Sequence, residues 1–267
     1  MEAVTLADRL AGLSRAKAWL DACRPLPPDA ARELRERFEV RLTHHSTAIE
    51  GNTLTQSETQ IVLEKGITIG GKSLIEHLEV IGHREAMGFV LEIADARTAM
   101  DERTIREIHG LVMKGQGDGS AGAYRTLKVM AAGTEFRYPD HLHVPRLMEE
   151  FVAWWNAPSD LHPVPWASEA HLRFVTIHPF RDGNGRVGRL LLNLALLRSG
   201  YPIAVIPVGR RAEYIAALAS AQTGGTREPL DALVADAVEA SLREVLEVAA
   251  SAGAPLPPEG KAWLEAR

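Results

Sequence analysis

Apolar positions recur along most of this chain with the three-to-four-residue spacing of helices. Residues 3–22 place Val4, Leu6, Leu10, Leu13 and Trp19 partly on one face. Pro25, Pro27 and Pro28 break that pattern. A second helix begins near Asp29 and carries Leu34, Phe38 and Leu42 at i, i+4 and i+8, with charges between them. It should bury one face and leave the other in water. After Glu50, Gly51 or Asn52 suits a left-handed stop. Thr55 and Glu58 form a capping box that opens a short helix to Lys65. Gly66, Gly70 and Gly71 mark a loop. A long helix follows from about Ser73 to Ala96, with Leu74, Leu78, Ile81 and Met87 as the expected buried stripe. Asp101 can cap a helix over 102–114 that buries Ile105, Ile108 and Val112.

The second half is also helical, with one exception. Residues 127–140, LKVMAAGTEFRYPD, read as a short hairpin turning near Gly133. A helix over 144–156 carries Phe151, Trp154 and Trp155 as core, and another is expected over 166–177. An apolar helix runs from Arg186 through Leu190, Leu191, Leu192 and Leu197. The last helix, about 228–250, aligns Leu230, Leu233, Val234, Val238, Leu242 and Leu246. The Pro-rich tail after Gly253 is expected to be mobile. The fold class is therefore mainly α with one small hairpin.

Composition narrows the function classes. The 267 residues suit one large domain or two small ones, and 46% hydrophobic content is ordinary for a globular protein. A net charge of −5 gives no nucleic-acid footprint. The single Cys23 excludes an internal disulfide and a cysteine-based zinc site. No apolar run approaches the length of a membrane span, and the N-terminus lacks the form of a signal peptide. The expectation is a soluble, cytoplasmic protein with no membrane and no nucleic-acid partner.

Chemistry concentrates in residues 178–189, HPFRDGNGRVGR. Gly183 and Gly185 allow a tight turn with backbone N–H groups close to a ligand. Those groups would open the following helix, where unpaired donors and the dipole favour an anion. Arg186 and Arg189 add positive charge with a fork geometry suited to phosphate oxygens. Asp182 fits beside phosphates when a cation lies between them, and Mg²⁺ is the usual one. His178 is the side chain here that titrates near neutral pH and so the natural general base. Gly183, Gly185 and Gly188 also spell GxGxxG, but the preceding HLRFVTI is helical in pattern and no acid stands near position 205. His77 and His83, six apart, do not fit a shared helical metal site, and the pair His141 and His143 reads as loop. His171, seven before His178, is expected to be structural or to support the site from behind.

This stretch resembles the Fic (filamentation induced by cAMP) family, with signature HPFx(D/E)GNGRxxR. His178, Pro179, Phe180, Asp182, Gly183, Asn184, Gly185, Arg186 and Arg189 match it. The resemblance implies a helical bundle with a hairpin flap and an enzyme transferring AMP from ATP to a Ser, Thr or Tyr hydroxyl of a target protein. It implies His178 as base, Asp182 as the Mg²⁺ ligand, and Gly183, Asn184, Gly185, Arg186 and Arg189 on the nucleotide. Phe180 would anchor the loop. Gly122-Ala123-Tyr124-Arg125-Thr126 matches the pattern that precedes the flap, whose edge pairs with the target segment. The hairpin could equally be a passive cover. Val129 would close the base pocket opposite Tyr214 and Gln222, although plain packing for Tyr214 and a helix-end role for Gln222 also fit.

Taken alone, Glu50 reads as a solvated acid beside a turn. Ser46, Glu50 and Gly51 also match (S/T)xxxE(G/N), found in Fic proteins with an N-terminal inhibitory helix. That likeness implies an ion pair of Glu50 with Arg189 in the space of the γ-phosphate. The expected organisation is an N-terminal helical region over 1–100 with the inhibitory helix at about 29–50, a catalytic core over 101–225, and a C-terminal helix and tail over 226–267. Many such relatives form homodimers. Two other readings stay open: AMP removal with Glu50 orienting water, and a regulatory module that senses nucleotide without turnover.

Overall fold

The computed structural model describes residues 5–117, 119–129 and 136–266. Among them are eleven α-helices: α1 (Leu6–Ala22), α2 (Pro28–Ile49), α3 (Gln56–Lys65), α4 (Leu74–Ala96), α5 (Glu102–Val112), α6 (Val144–Asn156), α7 (Pro163–Ile177), α8 (Asn184–Arg198), α9 (Arg211–Gln222), α10 (Glu228–Ser251) and α11 (Pro258–Glu265). No strand occurs among the described residues. The turn of the expected hairpin at Gly133 lies outside them, and its described flanks, 127–129 and 136–140, form no strand.

The bundle is built around α8. Every residue from Arg186 to Leu196 is buried. A helix apolar on all sides is stable only when neighbours cover it all round, and α7, α4, α5 and α2 all pack against α8. Its polar members are satisfied inside. Asn193 Nδ2 donates to Arg189 O (3.0 Å) and Ala204 O (3.1 Å), and Ala204 N donates to Asn193 Oδ1 (2.7 Å). This holds the segment after α8 along its flank. One apolar core runs from Leu13 in α1 to Leu256 beyond α10.

Helix boundaries follow capping chemistry. Reciprocal capping boxes open α3 (Thr55 with Glu58) and α4 (Ser73 with Glu76), and Asp101 caps α5. α7 starts at Pro163, three residues before the expected start, because proline is well placed at a first helical position and His162 Nδ1 accepts from Val164 N.

Two expectations are corrected. In α4, Leu74, Ile75 and Ile81 are exposed (67%, 48% and 38%), and the inward face carries Val80, Met87 and Val90 together with His77 and His83. The buried histidines disguised that face. His77 accepts from Ile69 N (2.8 Å) and so donates from Nδ1 to Ser73 O (2.7 Å), while His83 Nδ1 pairs with Thr43 Oγ1 (3.1 Å). Gly82 belongs to the same face: a Cβ there would lie 2.6 Å from Leu111 O, so only glycine allows α4 and α5 to meet. The second correction is the tail, which forms α11. Trp263 packs edge-on against Trp19 (6.1 Å) and under the Arg243 guanidinium (4.0 Å), an anchor large enough to order a short helix. No helix among the described residues is long and apolar enough to cross a membrane.

The inward face of α4 gives a direct test. Met87→Ala should cost about 2–5 kcal/mol through the cavity it leaves. Leu74→Ala should stay within about 0.5 kcal/mol. Urea unfolding of the two variants measures both, and equal losses would restore the face predicted from the apolar spacing.

Candidate active site

The loop between α7 and α8 is fixed before any ligand enters. His178 ends α7 in a left-handed conformation (φ 53°), and its N–H donates to Phe174 O at 3.0 Å. Positive φ is uncommon for a residue with a side chain, so the surroundings must hold it. Asn184 closes the loop: Phe180 N donates to its Oδ1 and its Nδ2 donates to Phe180 O, both at 2.9 Å. Phe180 is fully buried and stacks on His109 at 3.6 Å with planes 1° apart. Gly122 N donates to His109 Nδ1 (2.8 Å), so the imidazole proton lies on Nε2 and is donated to Asp182 O (3.1 Å). His109 therefore ties the loop to the segment after α5.

Arg125 makes the other tie. It is buried, and its guanidinium donates to three backbone carbonyls: His178 O (2.8 Å), Leu127 O (3.1 Å) and Pro139 O (2.6 Å). Its own N–H donates to Pro179 O (2.9 Å). The guanidinium thus fastens both flanks of segment 127–140 to the loop.

The start of α8 is an anion site by construction. The first intrahelical bond is Val187 N to Gly183 O (2.9 Å), which leaves the N–H groups of Asn184, Gly185 and Arg186 without intrahelical partners at the positive end of the helix. Glu50, at the C-cap of α2, places its carboxylate there. A Cβ on Gly185 would lie 2.2 Å from Glu50 Oε1, so this approach requires glycine. Arg189, one turn later and 2% exposed, completes the site. Its Nε donates to Ser46 Oγ (3.0 Å), and one terminal nitrogen donates to Ser46 O and Glu50 Oε1, both at 2.7 Å. The other terminal nitrogen donates to the Tyr214 hydroxyl (3.4 Å), which meets His171 Nε2 at 2.7 Å. Arg211 Nε, donating to Ile49 O (2.6 Å), holds the end of α2 in place.

A cavity of about 310 Å³ opens over this arrangement, at the small end for ligand pockets. His178, Glu50, Gly185, Arg189, Tyr214 and Gln222 line it together, as the sequence reading grouped them. Tyr138, Arg211, Ile215 and Leu218 also line it and were missed. No short motif marks them; only the large aromatic at 138 beside a predicted turn could have drawn notice. Other predicted residues stand outside the lining. Arg186 is buried toward α5 and α4, donating to Gln116 Oε1 (2.9 Å) with Glu79 Oε1 at 3.5 Å. Asn184 has its side chain committed to the loop, so only its N–H faces a ligand. Val129 is half-buried away from the lining, and the Asp182 side chain is 72% exposed. Gln222 Nε2 reaches Thr176 Oγ1 at 3.4 Å. Among the described residues no group of three or more His, Cys, Asp or Glu is arranged to hold a metal.

The imidazole of His178 faces the cavity in a defined state. Nδ1 lies 3.2 Å from Val175 O, which can only accept, so the proton is on Nδ1 and Nε2 carries the lone pair. Burial lowers its pKa to about 4, with the Arg125 charge acting in the same direction and the Val175 carbonyl opposing. It is neutral at pH 7 and able to accept a proton. The arrangement thus offers a base, an anion site and a fixed positive charge on one cavity.

Comparison with known proteins places this geometry in a family. The model of the Fic/DOC family matches residues 99–196. The protein adenylyltransferase Fic of Drosophila willistoni is 36% identical over 236 residues, 88% of this chain and 47% of that protein. The chain thus spans about half the length of the curated relatives it matches. Among solved structures, a fragment of Fic-1 from Caenorhabditis elegans superposes with a TM-score of 0.83 at 32% identity, covering 93% of this chain and 74% of that one. A Fic domain containing signaling protein from Bacteroides thetaiotaomicron also gives 0.83, at 28% identity, with 90% and 98% covered.

Buried histidines set a pH dependence. Burial lowers His109 and His178 to about 4, and His83 and His171 to about 3. The unfolded chain, with histidines near 6.5, binds more protons below that pH. The stability these groups contribute is complete above about 6.5 and is lost as pH falls through about 4. One such group costs roughly 2 kcal/mol between pH 7 and 5. Urea midpoints at pH 7, 6 and 5 should fall in that order; a flat profile would refute the neutral buried state.

Proposed function

Since the chain belongs to the Fic/DOC family, we propose that it is a protein adenylyltransferase, moving AMP from ATP to a hydroxyl on a target protein and restrained by its own α2. The observation that carries this is the convergence on one cavity of His178 Nε2, the free N–H groups at the start of α8 and Arg189, with the Glu50 carboxylate among them. The names of the curated relatives support the same reaction.

The chain's own groups divide the work. The N–H groups of residues 184–186 take phosphate oxygens of ATP, as helix starts do. Arg189 adds a charge that cannot be lost. The target hydroxyl gives its proton to His178 Nε2 as its oxygen bonds to the α-phosphorus. The bond from that phosphorus to the bridging oxygen breaks, and pyrophosphate leaves. Positioning and charge stabilisation supply most of the acceleration in such transfers. Asp182 fits a Mg²⁺ that keeps most of its waters and needs only one or two carboxylates beside the phosphates. It is an oxygen donor left largely in water at the loop, with Oδ1 accepting Gly183 N–H at 2.5 Å. Bound with the nucleotide, Mg²⁺ would offset phosphate charge.

Glu50 competes for this site. It occupies the place over Gly185 and takes a donor from Arg189. Two unit charges about 4 Å apart interact by roughly 4 kcal/mol at an effective dielectric of about 20. The partly exposed carboxylate reduces that figure. A single pair can therefore hold most of the protein off without abolishing activity, since reversing a 99:1 balance takes about 5.5 kcal/mol. A second reading, AMP removal with Glu50 orienting water, draws on the presence of Glu50 and His178 in one cavity with the Glu50 side chain 38% exposed.

Incubation with α-labelled ATP and Mg²⁺ decides among these. Glu50→Gly should increase label on protein by about 5- to 150-fold, and Glu50→Gly/His178→Ala should abolish it. Loss of AMP removal in Glu50→Gly would add the second activity. Nucleotide binding without label in any variant would favour a nucleotide-sensing module and overturn the transferase reading.

A further inference from the structure

The His178 imidazole has a neighbour that the mechanism has not used. Tyr138, on the described flank after segment 130–135, lays its ring over the imidazole at 4.0 Å between centroids, with planes 29° apart. The same phenol ring lines the cavity beside Glu50 and Arg189. It also meets the Phe136 ring edge-on, at 5.3 Å and 80°.

This stack is held by the backbone on both sides. Arg125 donates from Nε to His178 O and from a terminal nitrogen to Pro139 O, the residue after Tyr138. One buried guanidinium therefore sets the spacing of the two chain segments that carry the rings. Asp140 fixes the next step, accepting from Leu142 N (3.1 Å) to start the short turn before α6.

The imidazole needs such a partner. Its ring torsion is intrinsically broad, and the one hydrogen bond at Nδ1 is long at 3.2 Å. A single long bond leaves the ring free to swing about it. A stacked aromatic removes that freedom by fixing the plane. The phenol hydroxyl is not required for this. Burial, with the Glu50 charge adding, raises its pKa, so it stays neutral and is no rival base. The charged groups acting on His178 are Arg125, Glu50 and Asp182, from the segment after α5, the end of α2 and the loop itself.

Resting on the adenylyl-transfer reading, we propose that Tyr138 is a positioning residue for the base: its ring clamps His178 so that Nε2 faces the cavity when the target hydroxyl arrives. The clamp acts through the ring face. Because the stacking partner of the ring is the base, the clamp should act mainly on the chemical step, with any change in ATP binding smaller than the change in kcat.

The test uses the full chain carrying Glu50→Gly, with Tyr138→Phe and Tyr138→Leu compared in that background. Phe keeps the ring and loses the hydroxyl; Leu keeps apolar bulk and loses the ring face. Proton NMR, with His178 assigned against a His178→Ala spectrum, reads the stack directly. The carbon-bound imidazole protons of His178 should lie upfield in the parent and in Tyr138→Phe, and move downfield in Tyr138→Leu. In AMP transfer, Tyr138→Leu should lower kcat by about 3- to 10-fold, a larger factor than any change in KM for ATP. Tyr138→Phe should keep at least half the parent kcat. Unmoved His178 resonances in Tyr138→Leu would overturn the clamp, as would an unchanged kcat. A Phe variant as impaired as Leu would assign the role to the hydroxyl and overturn it too. Should the parent transfer no AMP, the activity reading fails while the resonances still decide whether the ring holds the imidazole.

Discussion

A guanidinium buried in a helical core has to be satisfied on every side, and Arg189 meets that demand with groups from two other helices. Ser46 and Glu50 come from α2 and its cap, Tyr214 from α9, and the arginine itself from α8. Stripping one partner from a buried charge is strongly destabilising, so the position of α2 against α8 is set as much by this charge as by apolar packing. The partners differ in kind. Ser46 and Tyr214 are neutral and buried, and they remain suitable neighbours whatever else binds. Glu50 is charged and partly in water, the one partner that another anion can replace.

The loop at the other end of the cavity is organised by a similar logic. His109, Asn184 and Arg125 direct their hydrogen bonds to backbone groups of the loop and of the segments beside it. That leaves the first N–H groups of α8 unclaimed. Preorganised donors of this kind are effective because they need little rearrangement when charge arrives. The left-handed His178 and the proton on its Nδ1 follow from the same scaffold, and they leave Nε2 as the free nitrogen of the ring. On the proposed reading, base, anion site and competing carboxylate form one device, in which Glu50 stands where a phosphate would.

The stacking of Tyr138 on His178 extends this scheme to the segment after 130–135. Arg125 binds the carbonyls of Leu127, Pro139 and His178, so one guanidinium links the described flanks to the residue that carries the imidazole. The segment need not be a passive cover; its described flank contributes a wall of the cavity.

The helical class, most helix boundaries and the reactive loop could be read from the residues alone. Capping pairs such as Thr55 with Glu58 are local, and a twelve-residue motif keeps its chemistry together by adjacency. Ser46 and Glu50 could be paired with Arg189 only by likeness to a family, since more than a hundred residues separate them. Tertiary structure decided what depends on distant neighbours. It turned α4 so that His77 and His83 face inward, because Ser73, Ile69 and Thr43 supply their hydrogen bonds. It directed Arg186 toward Gln116 and Glu79, away from the cavity, and brought Tyr138, Arg211 and Leu218 to its wall. Periodicity reports which residues prefer burial, but a polar group is buried wherever the fold offers it a partner, and that partner can lie anywhere in the chain.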